Sequence, residues 1–159
     1  MVKYILLIII NNIVSITIYI CISVVLIPLN IMWQNGIWDD RIWSLGAKAI
    51  LSNVVLVSFH TTVSMFLFYL SGKWFLINMH NTILNALSIV FMHIFIAMVL
   101  YLSYNNPHAN NVVGILAVPI HPISETLSFV LYVKIKNCYL ITPLCASLVL
   151  WIGASLKKA

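Results

Sequence analysis

The sequence predicts an all-α integral membrane protein, a bundle of four transmembrane helices or of five, and three observations predict it. Of its 159 residues, 63% are hydrophobic and 7% charged, against about 25% charged in a soluble globular domain. The charges gather at a few points, so that residues 4–38, 49–72, 74–124 and 137–156 contain no Asp, Glu, Lys or Arg. Each of these stretches reaches the roughly 20 residues that a helix needs to cross a hydrocarbon core of about 30 Å. The apolar runs are unbroken rather than alternating. That selects helices over a closed barrel, the other architecture that satisfies every backbone polar group in lipid. A single helical domain then takes up residues 1–159, with no length left for a soluble one.

The first span covers residues 4–29. It is too long for the apolar core of a signal peptide and no small-residue cleavage site follows it, so it reads as a retained span. Pro28 reads as its end. Residues 30–46 follow as an interfacial loop or a short surface helix. Trp33, Trp38 and Trp43 all fall there, and indole favours the headgroup layer, where its body is covered and its N–H stays wet. Trp38, Ile42 and Leu45 keep helical spacing, with Asp39 and Asp40 in the first turn, where the helix dipole favours acid. The second span covers residues 47–71, Gly72-Lys73-Trp74 reads as a tight connector, and the third span covers residues 75–104. A polar turn, residues 105–111, closes it. The last clear span covers residues 139–156.

Between them lies a segment, residues 112–133, that is apolar and long enough to cross but carries Pro119, His121, Pro122 and Glu125 in its middle. Two prolines three apart disrupt a continuous helix, and a carboxylate at mid-depth is costly. The segment is either a broken span or a re-entrant hairpin, a form tolerated where protein shields its backbone. The prolines and Glu125 favour four full spans with an irregular 112–133. Charge does not arbitrate: the eight Lys and Arg divide four and four across the membrane in either arrangement, and the positive-inside rule is silent.

Polar residues inside the spans are ordered into seams. Asn12, Ser15, Tyr19 and Ser23 are spaced three, four and four in the first span. Asn53, His60, Ser64 and Ser71 are spaced seven, four and seven in the second, and fall within roughly 40° of one another around a helix. Asn78, Asn81, Asn85 and Ser88 are spaced three, four and three in the third. Apolar helices gain little from associating in lipid, so hydrogen-bonding side chains supply part of the attraction, about 0.6 kcal/mol per bond. Such seams hold a bundle or an oligomer together, or they line a wet path.

His121 and Glu125 stand four residues apart, which on a helix brings them together as a proton or ion site. The architectural alternative is that Pro122 opens a half-helix and Glu125 sits near its positive end. Cys21, Cys138 and Cys145 lie in apolar runs and read as small buried hydrophobes. No metal-ligand spacing and no cofactor motif appears, so neither a metal nor a cofactor is expected. With three acidic residues in the chain and no nucleophile motif, no catalytic residues are singled out and no enzyme is expected. The basic residues stand singly or in pairs at the ends of apolar runs, as topology determinants do, so nucleic acid is not an expected partner.

The sequence thus leads to a small multi-pass protein of the plasma membrane, of prokaryotic build. Its expected role is that of a non-catalytic subunit, anchor or sensor that meets the lipid bilayer and another membrane protein or further copies of itself, as in toxin immunity or a bacterial defence system. The alternative is a small channel or carrier that uses the His/Glu pair and the Asn/Ser seams.

Overall fold

The computed structural model describes residues 2–37, 47–79, 81–104 and 110–156. Among these residues the chain forms helices and no strand: α1 (Val2–Ile37), α2 (Ala47–Phe75), α3 (Thr82–Ser103), α4 (Asn110–Ala117), α5 (His121–Leu131), α6 (Ile135–Cys138) and α7 (Pro143–Ser155). Three helical stretches are long and apolar enough to cross a membrane, namely Val2–Pro28, Ile83–Ser103 and Ile135–Ser155. The 29-residue α2 packs against α1 and α7.

Two expected boundaries move. Pro28 does not end the first helix, which continues through Ile37 and takes in residues 30–37, Trp33 among them. A proline costs one intrahelical bond, and in an apolar setting the freed groups have no better alternative than to keep the rest of the ladder. Trp38 and Trp43 lie outside the described residues. The second correction concerns Gly72-Lys73-Trp74, which is not a connector: α2 runs through it to Phe75. The chain leaves α2 after Phe75, and α3 begins at Thr82 rather than at Phe75. Asn81 is its N-cap, with φ −135° and ψ 121°, and its Oδ1 accepts from the Ile83 and Leu84 amides at 2.9 and 3.1 Å. Two of the four orphan amides of the helix start are thereby satisfied.

Side-chain contacts fix how the helices run. The α1–α2 pair is antiparallel: Asn11 meets Ile77, just past the end of α2, while Tyr19 packs on Phe68 with ring centroids 5.4 Å apart. The helices α3 and α7 are also antiparallel. Asn78, ahead of α3, reaches the Ser155 carbonyl at 3.5 Å, and Tyr104, just past α3, lies 5.8 Å from Tyr139. It follows that α2 and α7 run the same way. Their approach is close because Gly72 and Gly153 sit at the crossing. A Cβ on Gly72 would enter the Leu150 carbonyl oxygen, and one on Gly153 would enter the Tyr69 carbonyl and stand 2.9 Å from the Lys73 nitrogen. Small residues let backbones pack where lipid provides no hydrophobic drive. The core between the helices is built from Ile22 and Leu26 of α1, Phe68 of α2, Met92 and Ile96 of α3 and Leu150 of α7.

The ambiguous segment 112–133 is a hairpin. Its first arm, α4, reaches the level of mid-α1, where Tyr19 donates to the Leu116 carbonyl at 3.0 Å. Residues Val118–Ile120 form a turn and α5 leads away. Soon after, Lys136 lies 5.5 Å from the centroid of the Tyr101 ring and Tyr139 lies beside Tyr104, both at the end where α3 stopped. The segment therefore enters and leaves the bundle at one end. Pro119 lies in the turn, and Pro122 opens α5, a position where its missing N–H costs nothing. The return arm ends at Tyr132, in the left-handed conformation with φ 52° and ψ 35°, whose amide bonds to the Ser128 carbonyl.

Candidate functional site

The hairpin turn is held from below by two side chains of the predicted seams. Ile120 donates its amide to the Ala117 carbonyl, so the Leu116 carbonyl is met by the Tyr19 hydroxyl at 3.0 Å instead. The Ser64 hydroxyl donates to the Pro119 carbonyl, also at 3.0 Å. Irregular backbone inside an apolar bundle is stable where such donors reach it.

On its other side the hairpin is tied to the connection between α6 and α7. His121 Nδ1 lies 2.8 Å from the Tyr139 hydroxyl, with the two rings near-parallel at 28°. One turn on, the Ser124 and Thr142 hydroxyls are 2.8 Å apart. Ser124 and Thr142 are fully buried. His60 of α2 completes the cluster: it interacts electrostatically with His121, is 1% exposed, and has no hydrogen-bond partner on either ring nitrogen. Two imidazoles and two phenols, Tyr19 and Tyr139, thus surround the turn. The imidazoles can exchange a proton and accept a hydrogen bond, and the phenols can donate one.

A second constellation binds the connector between α2 and α3. Asn11 takes both polar groups of Ile77, accepting from its amide at 3.0 Å and donating to its carbonyl at 2.9 Å. Asn85 accepts from the Met79 amide at 3.0 Å and donates to Asn78 Oδ1 at 3.0 Å. Asn78 passes the chain on to Ser155. Three asparagines thereby replace the partners that an extended segment would find in a sheet.

No family model, no curated protein and no solved structure matches the chain. Fold-level analogy is thereby absent, and the chemistry of the side chains carries the reading.

Of the seam residues named by spacing, Asn12, Ser15, Tyr19, Ser23, His60, Ser64, Asn85 and Ser88 are buried. Ser23 and Ser88 turn back onto their own helices, onto the Tyr19 and Asn85 carbonyls. Asn12 donates to Ile8 within α1, while its Oδ1 and the Ser15 hydroxyl are buried without a partner. Ser71 and Asn78 are half-buried, and Asn81 is exposed as a cap. The third seam is therefore part helix face and part connector. The side chains of Asn53 and Glu125 lie outside the described ones. Glu125 occupies the position four residues after His121 on α5. Asn11, Ser124, Tyr139 and Thr142 join the site although spacing did not single them out. The matched three-residue steps His121–Ser124 and Tyr139–Thr142 were the available signal. Among the described residues no group of three His, Cys, Asp or Glu side chains is placed to hold a metal ion.

Proposed function

We propose that the chain is a multi-pass protein of a prokaryotic plasma membrane, with four full spans (α1, α2, α3 and residues 135–155) around a re-entrant hairpin. In this reading it acts without catalysis, as a subunit, anchor or sensor in contact with another membrane protein or with further copies of itself. A toxin-immunity or defence complex is a setting of this kind. The observation that carries the reading is where the seam polar groups go. Tyr19, Ser64, Asn78 and Asn85 bond to groups of this chain, so these four seam residues are engaged in holding the bundle, whereas Asn12 Oδ1, Ser15 and His60 are buried without partners. The outward faces carry large apolar side chains such as Val24, Phe66, Phe91 and Leu102, suited to lipid and to partner helices alike. The test is extraction in mild detergent with cross-linking through single cysteines at Phe66 or Phe91. A discrete partner band or a defined oligomer is expected. A lone monomer that conducts ions in liposomes would overturn the reading.

A specific observation favours a second reading, a small proton or cation carrier. His60 is buried with unpaired ring nitrogens beside His121 and beneath an interrupted helix, and carriers place their sites at such interruptions. A pH jump across proteoliposomes decides it: flux abolished by His60→Leu supports the carrier, and absence of flux in the wild type removes it.

A further inference from the structure

One end of the bundle gathers tyrosines and lysines. The α3 span closes there with Tyr101 and Tyr104, and the span that begins at Ile135 opens beside them. The return arm of the hairpin delivers Tyr132 and Lys134 just ahead of Lys136. The helical stretch Ile83–Ser103 rises about 30 Å, the thickness of a hydrocarbon core. In a bilayer this end therefore stands at the headgroup layer of one leaflet.

Lys136 is held in place there. Its Nζ lies 5.5 Å from the centroid of the Tyr101 ring, within reach of cation–π attraction, and its side chain is half-buried. A ring face covers one side of an ammonium, leaves N–H donors free on the other, and brings no net charge to cancel it. Among the described residues no carboxylate pairs with Lys136 or with the exposed Lys134.

Tyr132 adds an independent observation. It follows α5 in the left-handed conformation, with φ 52°, at a position where glycine is the usual residue. The turn is held by the Tyr132 and Val133 amides on the Ser128 carbonyl and by the Ser128 hydroxyl on the Val133 carbonyl at 2.7 Å. The Tyr132 ring is 92% exposed, so packing within this chain does little to offset the backbone strain. A phenol presented in this way suits the headgroup layer, where its body is covered and its hydroxyl stays wet.

The same contacts choose among headgroups. A choline group would ask for open aromatic faces. Here the Tyr101 face is taken by Lys136, and the Tyr104 ring packs on Tyr139 with centroids 5.8 Å apart. Two ammonium groups at headgroup depth attract instead a headgroup of net negative charge.

We propose that this end of the bundle is a docking surface for an anionic phospholipid. The lipid phosphate accepts from Lys136 Nζ in front of Tyr101, Lys134 adds its charge, and the Tyr132 ring lies among the neighbouring headgroups. The contact is binding alone. It does not depend on which protein the bundle docks with, because it is measured on the isolated chain.

The experiment exposes the purified chain in mild detergent to equal amounts of phosphatidylglycerol and phosphatidylcholine with the same acyl chains. Native mass spectrometry then counts the lipids retained. Preferential retention of phosphatidylglycerol is expected. A lysine beside an anionic surface contributes about a fivefold preference, so Lys136→Gln should lower the preference about fivefold, and Lys134→Gln combined with it should lower it further. Lys136→Arg should keep the preference, and Lys73→Gln, at the opposite end of the bundle, should leave it unchanged. Tyr132→Gly suits the left-handed backbone, so it should fold at least as well as the wild type and yet retain less lipid. Equal retention of the two lipids by folded wild-type protein overturns the proposal. A preference for phosphatidylcholine overturns it as well and makes the tyrosines a choline site. A preference that survives the double substitution, or that falls as much with Lys73→Gln, overturns its assignment to this end. Should the double variant not fold, the contrast between Lys136→Gln and Lys136→Arg decides the matter.

Discussion

Asn11 holds Ile77 by both its amide and its carbonyl, across 66 residues of sequence. Replacing it with Leu keeps the branched shape at a larger volume and leaves two backbone groups without partners. An unmade buried hydrogen bond costs about 1–3 kcal/mol, and the site is part-buried, so the expected loss for Asn11→Leu is about 2 kcal/mol. The check is the midpoint of unfolding in a detergent titration, with Thr17→Val as control, because the Thr17 hydroxyl only returns to Ile13 on an exposed face. An unchanged midpoint for Asn11→Leu would show that the connector stands without it. This residue also marks a limit of reading by spacing. Asn12 falls on the three-and-four pattern of its helix, and Asn11 is one position, about 100°, away from it. The pattern finds side chains that share a face. It has no means to find one whose partner is the backbone of a distant connector. Ser64 was legible as a seam residue for the same reason that Asn11 was not, although its partner, the Pro119 carbonyl, was equally invisible.

At the scale of elements, the crossing of α2 and α7 depends on two absent side chains. Gly153→Ala would press a methyl group into the Tyr69 carbonyl and the Lys73 nitrogen, and Gly72→Ala into Leu150. Backbone cannot yield as a side-chain tip can, so each substitution is expected to destabilise by about 1–3 kcal/mol, the usual range for overpacking. Gly114 on α4 has nothing within 4 Å of its would-be Cβ. Gly114→Ala should be neutral, or stabilise by up to about 1 kcal/mol through helix propensity. Thermal melting of the three variants side by side is the measurement, and equal melting points would refute the close crossing. Gly72 was read as a turn because glycine beside a charge punctuates many chains, whereas here it supplies room inside a helix. The hairpin was more legible. Pro119 and Pro122 announced the interruption, and only its direction needed contacts that sequence does not carry. Its anchoring is testable by the same logic. Ile120 is fully buried, so a cysteine there should resist a water-soluble maleimide in the wild-type background. With Tyr19→Phe and Ser64→Ala together, the Leu116 and Pro119 carbonyls lose their donors and labelling should rise. Continued protection would mean that packing alone retains the turn.

For the whole molecule, the decisive quantity is the number of crossings between the two ends. The lysines and the arginine gave no direction, because Lys134 and Lys136 simply exchange sides with Lys157 and Lys158 when 112–133 changes from hairpin to span. The contacts give one. Ser155 lies beside Asn78, near Asn11 and the start of α1, whereas Lys136 and Tyr139 lie at the far end with Tyr101 and Tyr104. In a membrane this arrangement puts Val2 and Leu156 on one side and Tyr132 on the other. A fifth crossing would instead put Val2 with Tyr132 and send Leu156 across. All three positions are exposed, Tyr132 at 92%, so a cysteine at any of them should react freely with reagent on its own side. Cysteines at 2, 132 and 156, treated with a membrane-impermeant maleimide in right-side-out and in inverted vesicles, should therefore label as a pair and a singleton, with Tyr132→Cys the singleton. If Leu156→Cys stands alone instead, residues 110–131 cross the membrane, and the contacts of Tyr19 and Ser64 with the turn must be given up in the bilayer. Those two hydrogen bonds shield carbonyls that lipid cannot satisfy, which is why the pairing of the two termini on one side is the outcome expected.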